Sequence, residues 1–401
     1  MVASIAADYY VRLLSQVSVQ VDIFDKFTSI EINHKLNGVG SYTISFEDLS
    51  VVRMRRFEVD GQVEVYRAVP GADVDWYPEF EGFHRKFADV RSQDKRRTIQ
   101  SIGVGYNSLL ERTNIAYKEG TIRADKYDYA DRVMKEYVEE NCGPTAADET
   151  VVGRIYPKKF PHFAVQAASN KGPKWSGSRA FENLLDTLKG ISDYANLDFD
   201  VLRTGNPWFT FVTYNLLKGA DRTNIGLNTD TGLNAAGNSP VILSIEFGSA
   251  QDSVYEYDRL AEANVCIVLG EGEGSTRDVL YRSDESAISF SPWNRCEVAR
   301  PVQTASIPGL SEEAAAELKT FSMQQTGDEV LAELRAKENV TLTPMQQPSA
   351  LYGKHYFLGD RITVRALDET FHKRIVGGTL QIQGDREQVS IELASYTTGT
   401  Q

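Results

Sequence analysis

The chain of 401 residues carries 43 Lys and Arg against 56 Asp and Glu, a formal net charge of −13. That balance argues against a nucleic-acid binder, whose affinity comes from clustered cations that neutralise phosphates. The length predicts roughly two to four domains, and 41% hydrophobic residues with 19 Tyr fit a soluble, β-rich protein.

The N-terminal stretch MVASIAADYYVRLL has no basic n-region and its apolar run is cut by Asp8, so no signal peptide is expected. No segment approaches the roughly 20 apolar residues that a membrane helix needs. Cys142, Cys266 and Cys296 are odd in number and scattered, which predicts reduced thiols in place of a disulfide framework or a C-x-x-C metal knuckle. Synthesis in a cytoplasm is expected, with no stable membrane insertion.

Residues 17–46 alternate at period two around the turn dipeptide Asn37-Gly38, which predicts an antiparallel meander. Strands are predicted at Gln62–Val69, Glu79–Phe83 and Arg97–Ile102, the last pairing back across a polar Ser92–Arg96 turn. Together, residues 1–105 read as one β-barrel-like domain. Apolar residues at helical spacing then predict helices over 127–140 and 178–196, the second with Ser178 as N-cap. Between them, 141–177 reads as a long irregular loop with Pro144, Pro157, Pro161 and Pro173, a candidate contact arm. A hairpin follows across Thr204-Gly205-Asn206-Pro207, and 219–239 reads as an exposed linker. The division is therefore 1–105, a helix- and loop-containing region 106–239, and a second β-rich domain 240–401. That last domain contains strands at 241–247, 253–260, 339–343, 361–366, 374–383 and 387–394, the final pair joined at Gly384-Asp385. It also contains a helical insertion around 310–337, with Gly327 expected to interrupt the helix.

The stretch NVCIVLGEGEGSTRDVLY, Asn264–Tyr281, imitates a strand running into a phosphate loop. Its glycines stand at G-x-G-x-G, not at the dinucleotide spacing, Glu271 and Glu273 would repel phosphate, and Val279 and Tyr281 continue at period two. It is expected to be a hairpin that binds no nucleotide. The histidines at 34, 84, 162, 355 and 372 never fall at ligand spacing, and no G-x-S-x-G elbow occurs. No catalytic, cofactor-binding or metal-binding residue is therefore assigned, and no cofactor. Two carboxylate arrangements could serve a hydrolase: Glu79 with Glu81, which as neighbours two apart on a strand are more often a solvated face, and Asp360 with His355 as an acid and base pair. The clusters Arg53-Arg55-Arg56 and Lys95-Arg96-Arg97 read as solvated edges. Pro157–Phe163 (PKKFPHF) mixes cations with aromatics on a proline-fixed loop, which suits contact with protein.

The order of Leu184–Phe199, Ala220-Asp221-Arg222-Thr223, Pro240–Phe247, Asn264–Arg277 and the strand of Tyr356–Val364 (YFLGDRITV) resembles the tail-tip or baseplate hub proteins of tailed bacteriophages, related to the central hub of contractile tails. The resemblance spans nearly the whole chain. It implies a β-rich α+β fold with two tail-tube-like β-barrel domains, and a homotrimer presenting six similar barrels as a pseudo-sixfold ring beneath a hexameric tail tube. The implied role is a structural, non-enzymatic virion protein that adapts symmetry and forms part of the DNA ejection channel. Its implied partners are hexameric distal tail or tail-tube proteins and the tape measure or tip and receptor-binding proteins, with DNA passing without specific binding. An acidic wall suits that passage. Some relatives extend into a lytic or receptor-binding part, and this sequence ends shortly after its last predicted strand. A carbohydrate-active hydrolase and a host-surface adhesion module are the alternatives.

Overall fold

A computed structural model describes residues 7–47, 49–69, 76–91, 97–118, 120–146, 159–205, 208–214, 217–366, 369–384 and 386–396. The fold is β-rich α+β, with six α-helices among the described residues: α1 (Val51–Met54), α2 (Ser108–Glu111), α3 (Ala130–Asn141), α4 (Leu184–Ala195), α5 (Glu285–Ser289) and α6 (Glu312–Glu333). Two compact units divide the chain: Met1–Ser108, Lys218–Glu256 and Glu338–Thr400 form the first, while Leu109–Leu217 and Tyr257–Lys337 form the second.

The first unit is organised on one large sheet of fourteen strands. In chain order these are β1 (Asp8–Leu14), β2 (Gln20–Phe24), β3 (Ser29–Lys35), β4 (Ser41–Glu47), β5 (Gln62–Ala68), β6 (Tyr77–Arg91) and β7 (Arg97–Gly105). They continue as β8 (Asp221–Arg222), β9 (Ile242–Ser244), β10 (Ala250–Asp258), β11 (Lys337–Pro344), β12 (Arg361–Ala366), β13 (Glu369–Gln383) and β14 (Arg386–Ala394). Side chains alternate across each strand, so one face gathers Ile30 and Ile32, Tyr42 and Ile44, Val340 and Leu342, Leu380 and Ile382, and Val389 and Ile391 into a single core. That core is why the period-two segments of the sequence settle as strands.

The strand order is β10-β11-β14-β13-β3-β4-β7-β6-β5-β1-β2, with β12 beside β13 and both β8 and β9 parallel to β12. Within it, β3-β4-β7-β6-β5 and β10-β11-β14-β13-β12 are the same arrangement: five consecutive strands of the sheet laid side by side in the order first, second, fifth, fourth, third. Their fourth strands, β6 and β13, are both 15 residues long, and their fifth strands both 9. Each fourth strand also slips register against its fifth at a corresponding place, between His84 and Lys86 in one and between Ile375 and Gly377 in the other. The first unit is thus a topological repeat, joined where the second half of β13 pairs antiparallel with β3, Gly377 opposite Lys35 and Gln383 opposite Ser29. Among the described residues the sheet does not close into the two barrels expected from the sequence: the path is open, ending on β10 and on β2.

The second unit is built from smaller sheets and three longer helices. Helix α3 (Ala130–Asn141) follows the strand Ala124–Tyr129, which pairs with Lys174–Arg179. Ser178, expected to cap a helix, lies in that second strand. The cap of α4 (Leu184–Ala195) is Asn183, whose side chain accepts from the Asp186 amide, and the helix stops on Asn196 in the left-handed region at φ 49°. Within the span read as an irregular loop, Phe163–Val165 adds a parallel strand to the hairpin of Phe199–Arg203 and Phe209–Thr213. Helix α6 (Glu312–Glu333) is capped by Ser311 and starts with Glu312 and Glu313, carboxylates that suit its positive end. Gly327 does not interrupt it. A Cβ there would stand 2.3 Å from Arg282 Cγ, so the glycine lets strand Val279–Ser283 approach the helix. Trp175 is buried, donates from Nε1 to Glu329 at 2.8 Å and meets the Tyr137 ring edge-on. Among the described residues no helix is long and apolar enough to cross a membrane.

Candidate functional site

The sheet face opposite the core carries short polar side chains in cross-strand rows. One row runs Ser390, Thr379, Asn33 and Ser41, and the next runs Gln388, Gln381, Glu31 and Thr43, across β14, β13, β3 and β4. Thr379 donates to Asn33 Oδ1 at 2.8 Å, and the Asn33 amide lies 3.5 Å from both Ser41 Oγ and Glu31 Oε1, so the first row is laced together and the second is tied to it. Across these four strands neither row contains a cation; beyond β4 the second row continues through Ile102 of β7 to Lys86 of β6. Lys35, opposite Gly377, and Arg386, opposite Gln383, stand outside these two rows. Hydroxyls and amides offer hydrogen bonds in any direction, and with no Lys or Arg among them they give a polyanion nothing to hold. The face can be wet and smooth without being adhesive.

Behind this face, within the same unit, a buried ionic cluster locks the two repeats together. Arg67 on β5 is 1% exposed and donates to Tyr9 Oη and Tyr77 Oη at 2.7 Å each, to the Tyr352 carbonyl at 2.8 Å and to Glu387 on β14 at 2.5 Å. Tyr77 and Tyr352 in turn donate to Glu79 at 2.8 and 2.9 Å, and His34 Nε2 lies 2.9 Å from the same carboxylate. Burial would push the Glu79 carboxyl up, but His34, Arg67 and the Tyr77 hydroxyl outweigh it and hold it down at about 2. For Arg67 burial disfavours the charge, and the surrounding Tyr9, Glu387 and Glu79 more than restore it, so its pKa is raised. Tyr9 and Tyr352 are pushed well above their ordinary value, chiefly by burial, and stay protonated, Tyr9 accepting from Arg67 and Tyr352 donating to Glu79. Gly353 completes the cluster at φ +81°, where a Cβ would stand 2.1 Å from Tyr77 Oη.

The residues singled out in the sequence fall elsewhere or take other roles. Glu79 is not part of a solvated face: it is turned into the buried cluster, and Glu81 lies opposite Glu64 of β5. Asp360 is buried and accepts from the Ala220 amide at 2.6 Å, Arg222 Nε at 3.0 Å and the Phe357 amide at 3.0 Å, while His355 Nδ1 accepts from the Leu351 amide at 2.9 Å. Both are tied into loop geometry. Arg53 and Arg56 close on Asp22 at 2.8 and 3.0 Å, Arg55 is exposed, and Arg97 pairs with Asp89 at 2.9 Å; Lys95, Arg96 and the Ser92–Arg96 turn lie outside the described residues. So do Pro157, Lys158, the Asn206-Pro207 turn and Asp385, whereas His162 stacks on Trp208 at 4.0 Å between centroids. The glycine-rich stretch is an antiparallel hairpin, Val265–Leu269 with Val279–Ser283, and Lys319 reaches Asp278 at 2.6 Å and Glu271 at 3.5 Å. No group of His, Cys, Asp and Glu among the described residues is arranged to hold a metal ion. Sequence reasoning missed both the polar rows and the Arg67 cluster; the signal for the rows was the Ser, Thr, Asn and Gln at alternate positions of the predicted strands.

Residues 80–393 match the family described as Siphovirus ReqiPepy6 Gp37-like protein. The chain belongs to this family. No curated protein matches it significantly. Among solved structures, a tail protein from Neisseria meningitidis MC58 superposes with a TM-score of 0.53 at 13% identity, covering 97% of this chain and 96% of that one. The 43 kDa tail protein of prophage MuSo2 from Shewanella oneidensis gives 0.51 at 11%, covering 96% and 98%, and the prophage tail protein gp18 from Listeria monocytogenes EGD-e gives 0.51 at 9%, covering 98% and 95%. This member of the siphovirus family thus has the fold of prophage tail proteins over nearly its whole length.

Proposed function

We propose that this siphovirus protein is the structural hub of a phage tail tip, a homotrimer that joins the hexameric tail tube to the tip and lines part of the path of the ejected DNA. The observation that carries the reading is the pair of cation-free polar rows on one side of a sheet that is itself a topological repeat. Two similar modules per chain, one in 1–105 and one in 240–401, give three chains six similar elements, the number needed to meet a hexameric tube. In the assembled ring the modules complete the barrel-like walls, and the helix- and loop-containing region 106–239 supplies contacts. Polar rows without cations across β14, β13, β3 and β4 let phosphates slide there, because little condensed-ion release is gained by binding. The partners are then distal tail or tail-tube proteins on one side and tape measure or tip proteins on the other, and the location is the virion tail. Glu79 and Asp360 are saturated with donors in structural positions, which weighs against a hydrolase built on either.

Mass measurement in solution with negative-stain imaging of the purified chain tests this reading. Three-chain particles with a central hole, unable to retain duplex DNA at physiological salt, are expected. A monomer, or a particle that binds duplex tightly and releases it only at high salt, would overturn it.

A further inference from the structure

We infer that the groove beside helix α3 binds a sugar carrying a single carboxylate, the carboxylate held by Arg132, Lys135 and Gln166 and the hydroxyls by Glu136 and Glu139. The inference concerns the second unit alone and stands apart from the trimeric reading above.

The helix supplies the first argument. Arg132, Lys135, Glu136 and Glu139 stand three and four residues apart, so they share one face of α3, and that face meets Val165, Gln166 and Ala168 across a groove of about 260 Å³. The volume lies just below the roughly 300–1,000 Å³ of pockets for drug-sized ligands, which suits a single ring. The rim is open to solvent, with the side chains of Arg132 and Glu136 44% and 43% exposed. The innermost group is a buried ammonium. The Lys135 side chain is 4% exposed and brings three protons to two acceptors, Asp131 Oδ1 at 2.7 Å and the Ala167 carbonyl at 2.9 Å. Asp131 is shared, since it also accepts from the Ser169 amide at 2.7 Å and from the Thr213 hydroxyl. Burial disfavours the Lys135 charge more than Asp131 restores it, and Lys171 adds to the loss, so a carboxylate placed at the third proton would be stabilising.

The other lining groups supply the second argument. Arg132 spends Nε on Asp128 at 3.4 Å, and its terminal nitrogens meet no acceptor among the described residues. Gln166 Oε1 accepts from the Thr213 amide at 3.2 Å, which leaves its Nε2 to donate. Glu136 gives one oxygen to Lys126 at 3.2 Å and Glu139 gives one to the Thr145 amide at 3.3 Å; among the described residues the second oxygen of each meets no donor. Three donors and two acceptors along one groove match a carboxylate flanked by hydroxyls. A phosphate brings more charge and fewer hydrogen-bond donors, so Glu136 and Glu139 would repel it, while a plain carboxylate would leave both of them unanswered. Sugars of this kind occur free and within acidic polysaccharides, and the open rim favours the second source.

Ligand-observed magnetic resonance on the whole chain decides it, with galacturonate, galactose, acetate, inorganic phosphate and trigalacturonate as probes. Galacturonate is expected to bind about tenfold more tightly than galactose, acetate or phosphate. Arg132→Ala and Gln166→Glu are each expected to weaken it about tenfold or more, and Glu139→Gln to bring galacturonate down toward acetate while leaving acetate as it was. Arg132→Ala removes only an exposed ion pair from the fold, so its melting temperature is expected to stay unchanged and its result stands even if the other variants melt lower. Acetate or phosphate binding as tightly as galacturonate would overturn the sugar. No binding of any probe, or binding that ignores Arg132→Ala, would overturn the groove as a site. A sugar within a chain should bind as well as the free one, and exclusion of trigalacturonate would overturn a polysaccharide as its source.

Discussion

Replacing Arg67 by Met is the sharpest test of what holds the two repeats in one sheet. The guanidinium is essentially buried and satisfies four acceptors: two tyrosine hydroxyls, the Tyr352 carbonyl and Glu387. Methionine fills most of the volume, so the loss is electrostatic. Glu387, whose side chain is 0% exposed, is left with the Ala7 amide at 3.1 Å as a remaining hydrogen bond, and breaking one partner of a buried pair in this way costs about 3–5 kcal/mol. At the lower bound that is more than a hundredfold in the folding equilibrium. Equilibrium urea unfolding, followed by far-ultraviolet circular dichroism because the affected unit is mostly sheet, should show the midpoint falling with little change of slope. The double variant Arg67→Met with Glu387→Met should recover more than half of the loss, since a buried pair exchanged for apolar groups is often neutral. A single variant that loses less than about 1 kcal/mol, or a double variant no better than the single, would refute the claim that paired burial holds this junction.

Glu79 gives a pH signature. Its carboxyl is lowered from 4.5 to about 2 on folding, so the stabilisation, about 3 kcal/mol, is fully present above pH 4.5 and lost as the pH falls from there toward 2; unfolding curves of the parent and Glu79→Gln should converge over that window, and parallel curves would count against it. Gly353→Ala should destabilise by several kcal/mol, because it adds both a left-handed backbone and a clash, whereas Gly205→Ala, at φ +93° with nothing within 4 Å of its Cβ, should lose about 1 kcal/mol; thermal melts that rank them the other way would refute the argument. Ile362→Asp places a carboxylate at a fully buried position of β12 and should unfold the first unit, while His355→Ala removes one hydrogen-bond acceptor and should lose about 1 kcal/mol with assembly intact, both read by melting and by mass in solution.

Local pattern told most of what was local. The period-two segments became β3, β4, β12, β13 and β14, and Ser311 caps α6 just where a helical run begins. Ser178 misled because hydroxyls are equally at home in a strand, and the true cap, Asn183, stands five residues on. Gly327 misled because propensity charges a glycine for its freedom and knows nothing of the Arg282 side chain pressed against it. What was not legible was long-range. The pairing of β13 with β3 joins residues more than 340 positions apart, and nothing in either strand names the other. The Arg67 cluster draws on β1, β5, β6, β14 and the loop around Tyr352, so each member, read alone, looks like an ordinary charged or aromatic residue of a half-exposed strand. The repeat was hidden for a related reason: it is conserved in strand order and length, not in the residues that a single sequence displays.

Between the first and second strands of one repeat the chain needs only residues 36–40, and at the corresponding place in the other it spends residues 259–336. Such a protein carries two spatial frequencies in one gene. The frame recurs every half chain and the excursion once per chain, so the proposed ring of three copies would act as a frequency divider: whatever touches the frame would count six similar positions, and whatever touches the excursion would count three. Neither count requires the chain to change conformation, since both are written into where its longest interruption falls.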